Sequence, residues 1–174
     1  MPAKFVVDTN VPITANLATT VNTSSDVPLE CVSQCVKAID NIVTNGGLVL
    51  DSGEEIFTEY RQSLSLKGQP GIGDVFIKWV NDNRWNPTKV DQVSITKIDS
   101  TYAEFPQHPD LELFDNSDRK FVAVANAHPQ KPPILQATDS KWWGWSPALH
   151  QVGITVNLIC SSYIESKYEK KIGS

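Results

Sequence analysis

The tightest constraint on this chain is an alternation. Short apolar runs recur between longer stretches with helical spacing, and several of the runs end on a carboxylate. "KFVV" (4–7) ends on Asp8, "LVLD" (48–51) closes on Asp51, and "PPILQAT" (132–138) ends on Asp139. Between them, "PLECVSQCVKAIDNIV" (28–43) sets Leu29, Val32, Val36, Ile39 and Val43 on one helical face. "NGG" (45–47) is a helix stop before the second run. Strands separated by helices predict an α/β fold with a mostly parallel sheet and helices on both of its faces. In such sheets, sites form at the carboxyl ends of the strands. Asp8 and Asp139 therefore belong at one edge, although about 130 residues separate them.

The remaining segments fit the same scheme. "SGEEIFTEYRQSLSL" (52–66) opens a helix in which Ser52 and Glu55 have capping-box spacing and Ile56, Tyr60 and Leu64 form the apolar stripe. "DVFIKWVNDNRW" (74–85) predicts a helix with Phe76, Trp79 and Val80 inward, and "VDQVSIT" (90–96) a weaker strand. Residues 99–113, with Pro106 and Pro109, are expected to be loop after a short helix. "NSDRKFVAVANAH" (116–128) and "SKWWGWSPALHQ" (140–151) are helical, and "GITVNLI" (153–159) is a last strand. The expected organisation is one domain over residues 1–160 and a polar C-terminal tail, a loosely attached helix, over 161–174.

At 174 residues the chain can bury a full core without staples. Its net charge of −5 does not suit gripping nucleic acid through bulk charge, although divalent metals can offset acids at a site. The three cysteines, Cys31, Cys35 and Cys160, cannot all pair. With no histidine or second CxxC near them they do not spell a zinc site, and they are expected to be small buried apolar residues. The apolar run before Asp8 is too short for a signal peptide, and no stretch approaches the ~20 apolar residues of a membrane span. The cytoplasm is the expected compartment, with no membrane partner.

Four motifs in order, "VVDTNV", "EEIFTEY", "DNSDRKFVAVA" and "ILQATD", resemble those of the PIN-domain nucleases over roughly residues 3–160. The resemblance implies a three-layer α/β/α sandwich with a central, mostly parallel sheet. It also implies an endoribonuclease that hydrolyses phosphodiester bonds using Mg²⁺ or Mn²⁺. Carried over by position, the metal-holding and catalytic acids are Asp8, Glu59, Asp118 and Asp139. Glu55, one turn before Glu59, and Asp115, beside Asp118, stand as second-rank acids. Asn10 and Thr138 occupy positions where the family often has polar residues, and both stand as substrate-binding candidates. Many members have another acid two residues beyond the last Asp, where this chain has Lys141. The implied substrate is RNA, single-stranded. Small prokaryotic members are often the toxin of a toxin–antitoxin pair, so an antitoxin-like inhibitor is one implied partner. This chain is longer than most such toxins, with extra material around residues 67–110, and RNA processing, a defence role and a homodimer stay open.

The chemistry points the same way. Crowded carboxylates repel, and a hard, oxygen-loving cation removes that penalty. Singly, each acid also has a plain structural role open to it: turn residue, first-turn acid at a helix dipole, or solvated helix residue. Arg119 and Lys120, next to Asp118, are candidates for contact with the RNA backbone. The tryptophans of "KWWGW" (141–145), Trp142 among them, either stack on unpaired bases or pack the core of the helix that follows. Two other readings compete. A haloacid-dehalogenase-type phosphohydrolase also opens with a strand-ending Asp, but it requires an acid two residues on, where Asn10 stands. A catalytically silent PIN-like binding module would have no reason to keep a repulsive acid cluster.

Overall fold

The computed structural model describes residues 2–19 and 25–172. Residues 1 and 20–24 of the expected domain, and 173–174 of the expected tail, lie outside the described residues. The chain is mixed α/β. Its strands are β1 (Val6–Val7), β2 (Leu48–Asp51), β3 (Val90–Val93), β4 (Lys97–Ile98), β5 (Thr101–Tyr102), β6 (Ile134–Gln136) and β7 (Val156–Leu158). Its helices are α1 (Asn10–Asn16), α2 (Leu29–Asn45), α3 (Glu55–Ser63), α4 (Ile72–Asn83), α5 (Arg119–Ala127), α6 (Lys141–Gln151) and α7 (Ser161–Ile172).

β1, β6 and β7 form a parallel sheet in that order, and β2 pairs parallel with β3. A parallel bridge between Phe5 and Leu48 joins the two pieces, with the Phe5 amide on the Gly47 carbonyl at 2.8 Å and the Val49 amide on the Phe5 carbonyl at 2.9 Å. The continuous strand order is therefore β3-β2-β1-β6-β7. From β1 the chain moves outward through β2 to β3, whereas from β6 it moves the other way to β7. The gap between β1 and β6 is thus the topological switch point, where the carboxyl ends of a parallel sheet leave a crevice. The strands are short; β1, β2 and β6, at the centre of the order, are buried throughout, while the edge strands β3 and β7 are partly exposed.

The helices follow the apolar spacing, with instructive departures. In α2, Cys31, Val32, Cys35, Ile39 and Ile42 are buried, but Leu29, expected inward, is 87% exposed at the first turn. The α2–β2 turn needs glycine: Gly47 has φ +97°, and a Cβ there would stand 2.1 Å from the Ala3 carbonyl oxygen. α3 does not begin with the Ser52–Glu55 capping box. Asp51 instead accepts from the Glu55 amide at 2.8 Å and the Ile56 amide at 2.9 Å. Residues 97–102 form a β4–β5 antiparallel hairpin, where loop and short helix were expected.

The cysteines also differ from expectation. Cys31 and Cys160 form a disulfide across 129 residues of sequence, and only Cys35 is a buried free thiol. No helix among the described residues is long and apolar enough to cross a membrane.

Candidate metal centre

Asp8 follows β1 directly and Asp139 lies three residues beyond β6, so the switch point brings the first and last acids to one crevice. Asp118 ends a short 3-10 turn (Asn116–Asp118) that leads into α5, and its backbone delivers it to the same place. Carboxylate oxygens of Asp115, Asp118 and Asp139 lie within 4.8 Å of one another. Asp115, ranked second from sequence, therefore stands in this group, whereas Asp8 and Glu59, two of the four acids expected to hold metal, lie outside it and act on it through their charge.

Asp8 is the acid under most stress. It is 5% exposed, its Oδ2 accepts from the Asn10 amide at 3.0 Å, and its Oδ1 is buried without any hydrogen-bond partner. Burial, then the charges of Asp118, Glu59 and Asp139, push its carboxyl well above the usual range. Asp118 is pushed up to about 6 by burial first, and then by Asp139, Glu59 and Asp115, with Lys120 acting in the opposite sense.

Glu59, not Glu55, faces this group. Tyr60, the next residue, donates to the Val7 carbonyl at 2.5 Å and so pins α3 against the end of β1. The Glu59 carboxylate accepts from the Thr9 hydroxyl and pairs with Lys120 Nζ at 2.7 Å. Glu55 turns toward the hairpin instead, pairing with Lys97 at 3.4 Å.

The turn carrying Asp139 is held by an amide pair. Asn10 Nδ2 donates to Gln136 Oε1, while Asn10 Oδ1 accepts from the amides of Ala137 at 2.9 Å and Thr138 at 3.3 Å. Asn10, proposed from sequence to touch substrate, is therefore built into the scaffold. Thr138 joins the same scaffold through its backbone, since its carbonyl accepts from Lys167 at 2.8 Å. Lys171 reaches Ser140 Oγ at 3.0 Å. Sequence reasoning assigned these tail lysines to solvent. The signal it lacked was the docking of α7, whose Ile164 is fully buried.

Two further expectations are corrected. Trp142 is fully buried and meets Phe114 edge-on at 5.2 Å, so it packs the core and offers no surface to a base. Trp145 stacks on the same Phe114 at 4.2 Å. The Arg119 guanidinium donates to the carbonyls of Glu112 and Phe114 and to Thr101 Oγ, and lies 4.5 Å over the Phe105 ring. It braces the loop before α5 and is not free for a phosphate. Lys141 pairs with Asp115 at 2.9 Å, on the surface.

Alongside the acids runs an open cleft of about 510 Å³, with Glu59, Thr58, Lys97, Ser100, Asn116 and Lys120 among its walls. Comparison of the chain with family models, curated proteins and solved structures returns no match.

Proposed function

We propose that this protein is a metal-dependent endoribonuclease of the PIN type, cutting single-stranded RNA at the β1–β6 crevice. The observation that carries the reading is Asp8 Oδ1, a buried carboxylate oxygen with no partner, in a cluster of further acids. A buried carboxylate costs several kcal/mol unless it is protonated, paired or bound to a cation. The donor set is entirely carboxylate oxygen, which suits Mg²⁺ or Mn²⁺ rather than a soft metal. Asp115, Asp118 and Asp139, whose carboxylate oxygens come within 4.8 Å of one another, would hold the ion, with the charge of Asp8 acting on the same group. Bound there, such a cation lowers the pKa of a water and offsets charge on a phosphodiester.

The protein's own groups divide the remaining work. Thr9 and Lys120 fix the Glu59 carboxylate at the cleft wall, where it can take a proton from an attacking water. Lys97 and Lys120 line the cleft, each paired with a glutamate of its wall, Glu55 and Glu59, and would meet an RNA backbone by exchanging that partner. Asn10 and Gln136 keep Asp139 opposite Asp8. The phosphohydrolase reading lacks its second acid, because the residue two beyond Asp8 is Asn10, whose amide is locked into the Asp139 turn.

The test is incubation of purified protein with single-stranded and structured RNA in Mg²⁺, Mn²⁺ or EDTA. Cleavage is expected with either metal and not with chelator. Undiminished cutting in excess chelator overturns the proposal, as does release of phosphate from small phosphomonoesters without RNA cleavage.

A further inference from the structure

The three cysteines converge at the root of α7, the helix whose lysines reach the Asp139 turn. The sulfurs of Cys31, Cys35 and Cys160 lie within 4.8 Å of one another. Cys31 sits in the first turn of α2, and Cys160 immediately precedes α7, so the Cys31–Cys160 bridge ties the root of α7 to the body of the fold. α7 in turn sends Lys167 to the Thr138 carbonyl and Lys171 to Ser140 Oγ, on either side of Asp139. Apart from this, α7 is a mostly polar helix with a single fully enclosed apolar residue, Ile164. A cleft of about 190 Å³, lined by Glu30, Cys31, Gln34, Cys160, Ser161 and Tyr163, opens onto the bridge.

We infer that Cys31–Cys160 is a redox latch, opened by a small thiol reductant entering this cleft, and that it sets the order of the Asp139 turn through α7. This inference rests on the metal-site reading above for its functional consequence. In the opening step a reductant thiolate attacks one bridge sulfur and the Cys31–Cys160 bond breaks. The released cysteine takes up a proton. A second reductant thiol then displaces the mixed disulfide, so two electrons and two protons end on Cys31 and Cys160 and the reductant leaves as a disulfide. Cys35 stands aside: burial pushes its thiol up to about 12, which keeps it protonated and a poor nucleophile. In a reducing compartment a disulfide of this kind is transient and regulatory, and in an oxidising one it is a fixed brace.

The test uses the full chain, oxidised or treated with dithiothreitol and then reoxidised. Alkylation after denaturation, read by mass, should find one free thiol in the oxidised protein and three after reduction. Amide exchange at residues 137–140 and along α7 should speed up on opening and return on reoxidation. Mn²⁺ affinity by calorimetry should fall about tenfold, the scale seen when residues that orient metal ligands are lost. Cys160→Ser should behave as the reduced form with or without reductant, and Cys35→Ala should leave the latch intact. Three free thiols in the oxidised protein overturn the latch. Unchanged exchange at 137–140 after verified reduction overturns the coupling. Failure of both forms to bind Mn²⁺ would count against the metal site alone, since the thiol and exchange measurements judge the latch independently.

Discussion

Among the described residues three side-chain carboxylates are buried, and two of them are satisfied. Asp51, 1% exposed, accepts the two amides that open α3. Asp74, 4% exposed, accepts from the Ser65 amide at 2.7 Å and the Gly71 amide at 3.0 Å, closing the turn before α4. Asp8 is equally buried but has one amide on Oδ2, nothing on Oδ1, and other acids for neighbours. The first two are structural acceptors for the backbone amides they cap. The third has no such compensation, and burial with its acidic neighbours pushes its carboxyl well above the usual range. Burial alone therefore does not single out Asp8; its lack of compensation does.

The comparison is broken most severely if Asp8 proves to be another structural acid. Asp8→Asn removes the charge but keeps the shape. RNA cleavage should fall at least about a thousandfold, ~4 kcal/mol of transition-state stabilisation, while circular dichroism stays native. A variant that cuts at parental rate would place Asp8 with Asp51 and Asp74.

The next largest effect is on pH dependence. Asp118 is raised to about 6 in the folded chain. An acid whose folded value exceeds its unfolded one binds protons more tightly in the fold. Its contribution is complete below the unfolded value and is lost as pH rises through the folded value. Metal-free stability should therefore decline between about pH 4 and about pH 6, with Asp118 accounting for no more than ~3 kcal/mol. Mn²⁺ favours the ionised acids, so its stabilisation should grow over the same window. Urea midpoints at several pH values, with and without EDTA, measure both slopes. A metal-free midpoint that rises across this range contradicts the crowding of the acids.

The contrast sharpens from the other side with Asp74→Ala. Two amides at a buried turn lose their acceptor, so stability should drop by ~2 kcal/mol. Cleavage per folded molecule should be unchanged, because Asp74 lies outside the crevice. A loss of activity without a loss of stability would overturn its structural assignment.

How much of this was legible in the sequence depends on the range of the cause. α2, α4 and α5 are visible because their apolar spacing is local and strong. α1 was not read, being seven residues long and carrying Pro12 near its start. Asp8 and Asp139 were legible because each follows a strand run, and the parallel topology does the rest. The choice of Glu59 over Glu55 agrees with the burial of Tyr60 beside it, a local cue. Membership of Asp115 was harder, since it depends on a 3-10 turn that the helical pattern does not announce. The disulfide and the reach of Lys167 to Thr138 were out of range, because both depend on where the last strand returns the chain relative to α2 and β6. Trp142 had two readings from sequence, and its partner Phe114, from the loop before α5, decides for the core.

The smallest expected effect is the most discriminating, because its sign separates the two kinds of acid. Asp139→Asn removes one charge from the cluster at nearly constant shape. The acceptor that meets the Lys141 amide at 3.1 Å can be kept as the amide oxygen, so no local bond need be lost. If Asp8, Asp118 and Asp139 repel one another without metal, the metal-free variant should be as stable as the parent or more so, by about 0.5–2 kcal/mol. A structural acid behaves oppositely, as Asp74 should. Mn²⁺ should then raise the melting temperature of the parent more than that of the variant, because native-state stabilisation by a ligand follows its affinity. Thermal melts of both proteins in EDTA and in Mn²⁺ read the two signs together. A metal-free destabilisation above ~2 kcal/mol would make Asp139 a hydrogen-bond acceptor that the turn requires. Equal Mn²⁺ shifts in parent and variant would remove it from the metal site.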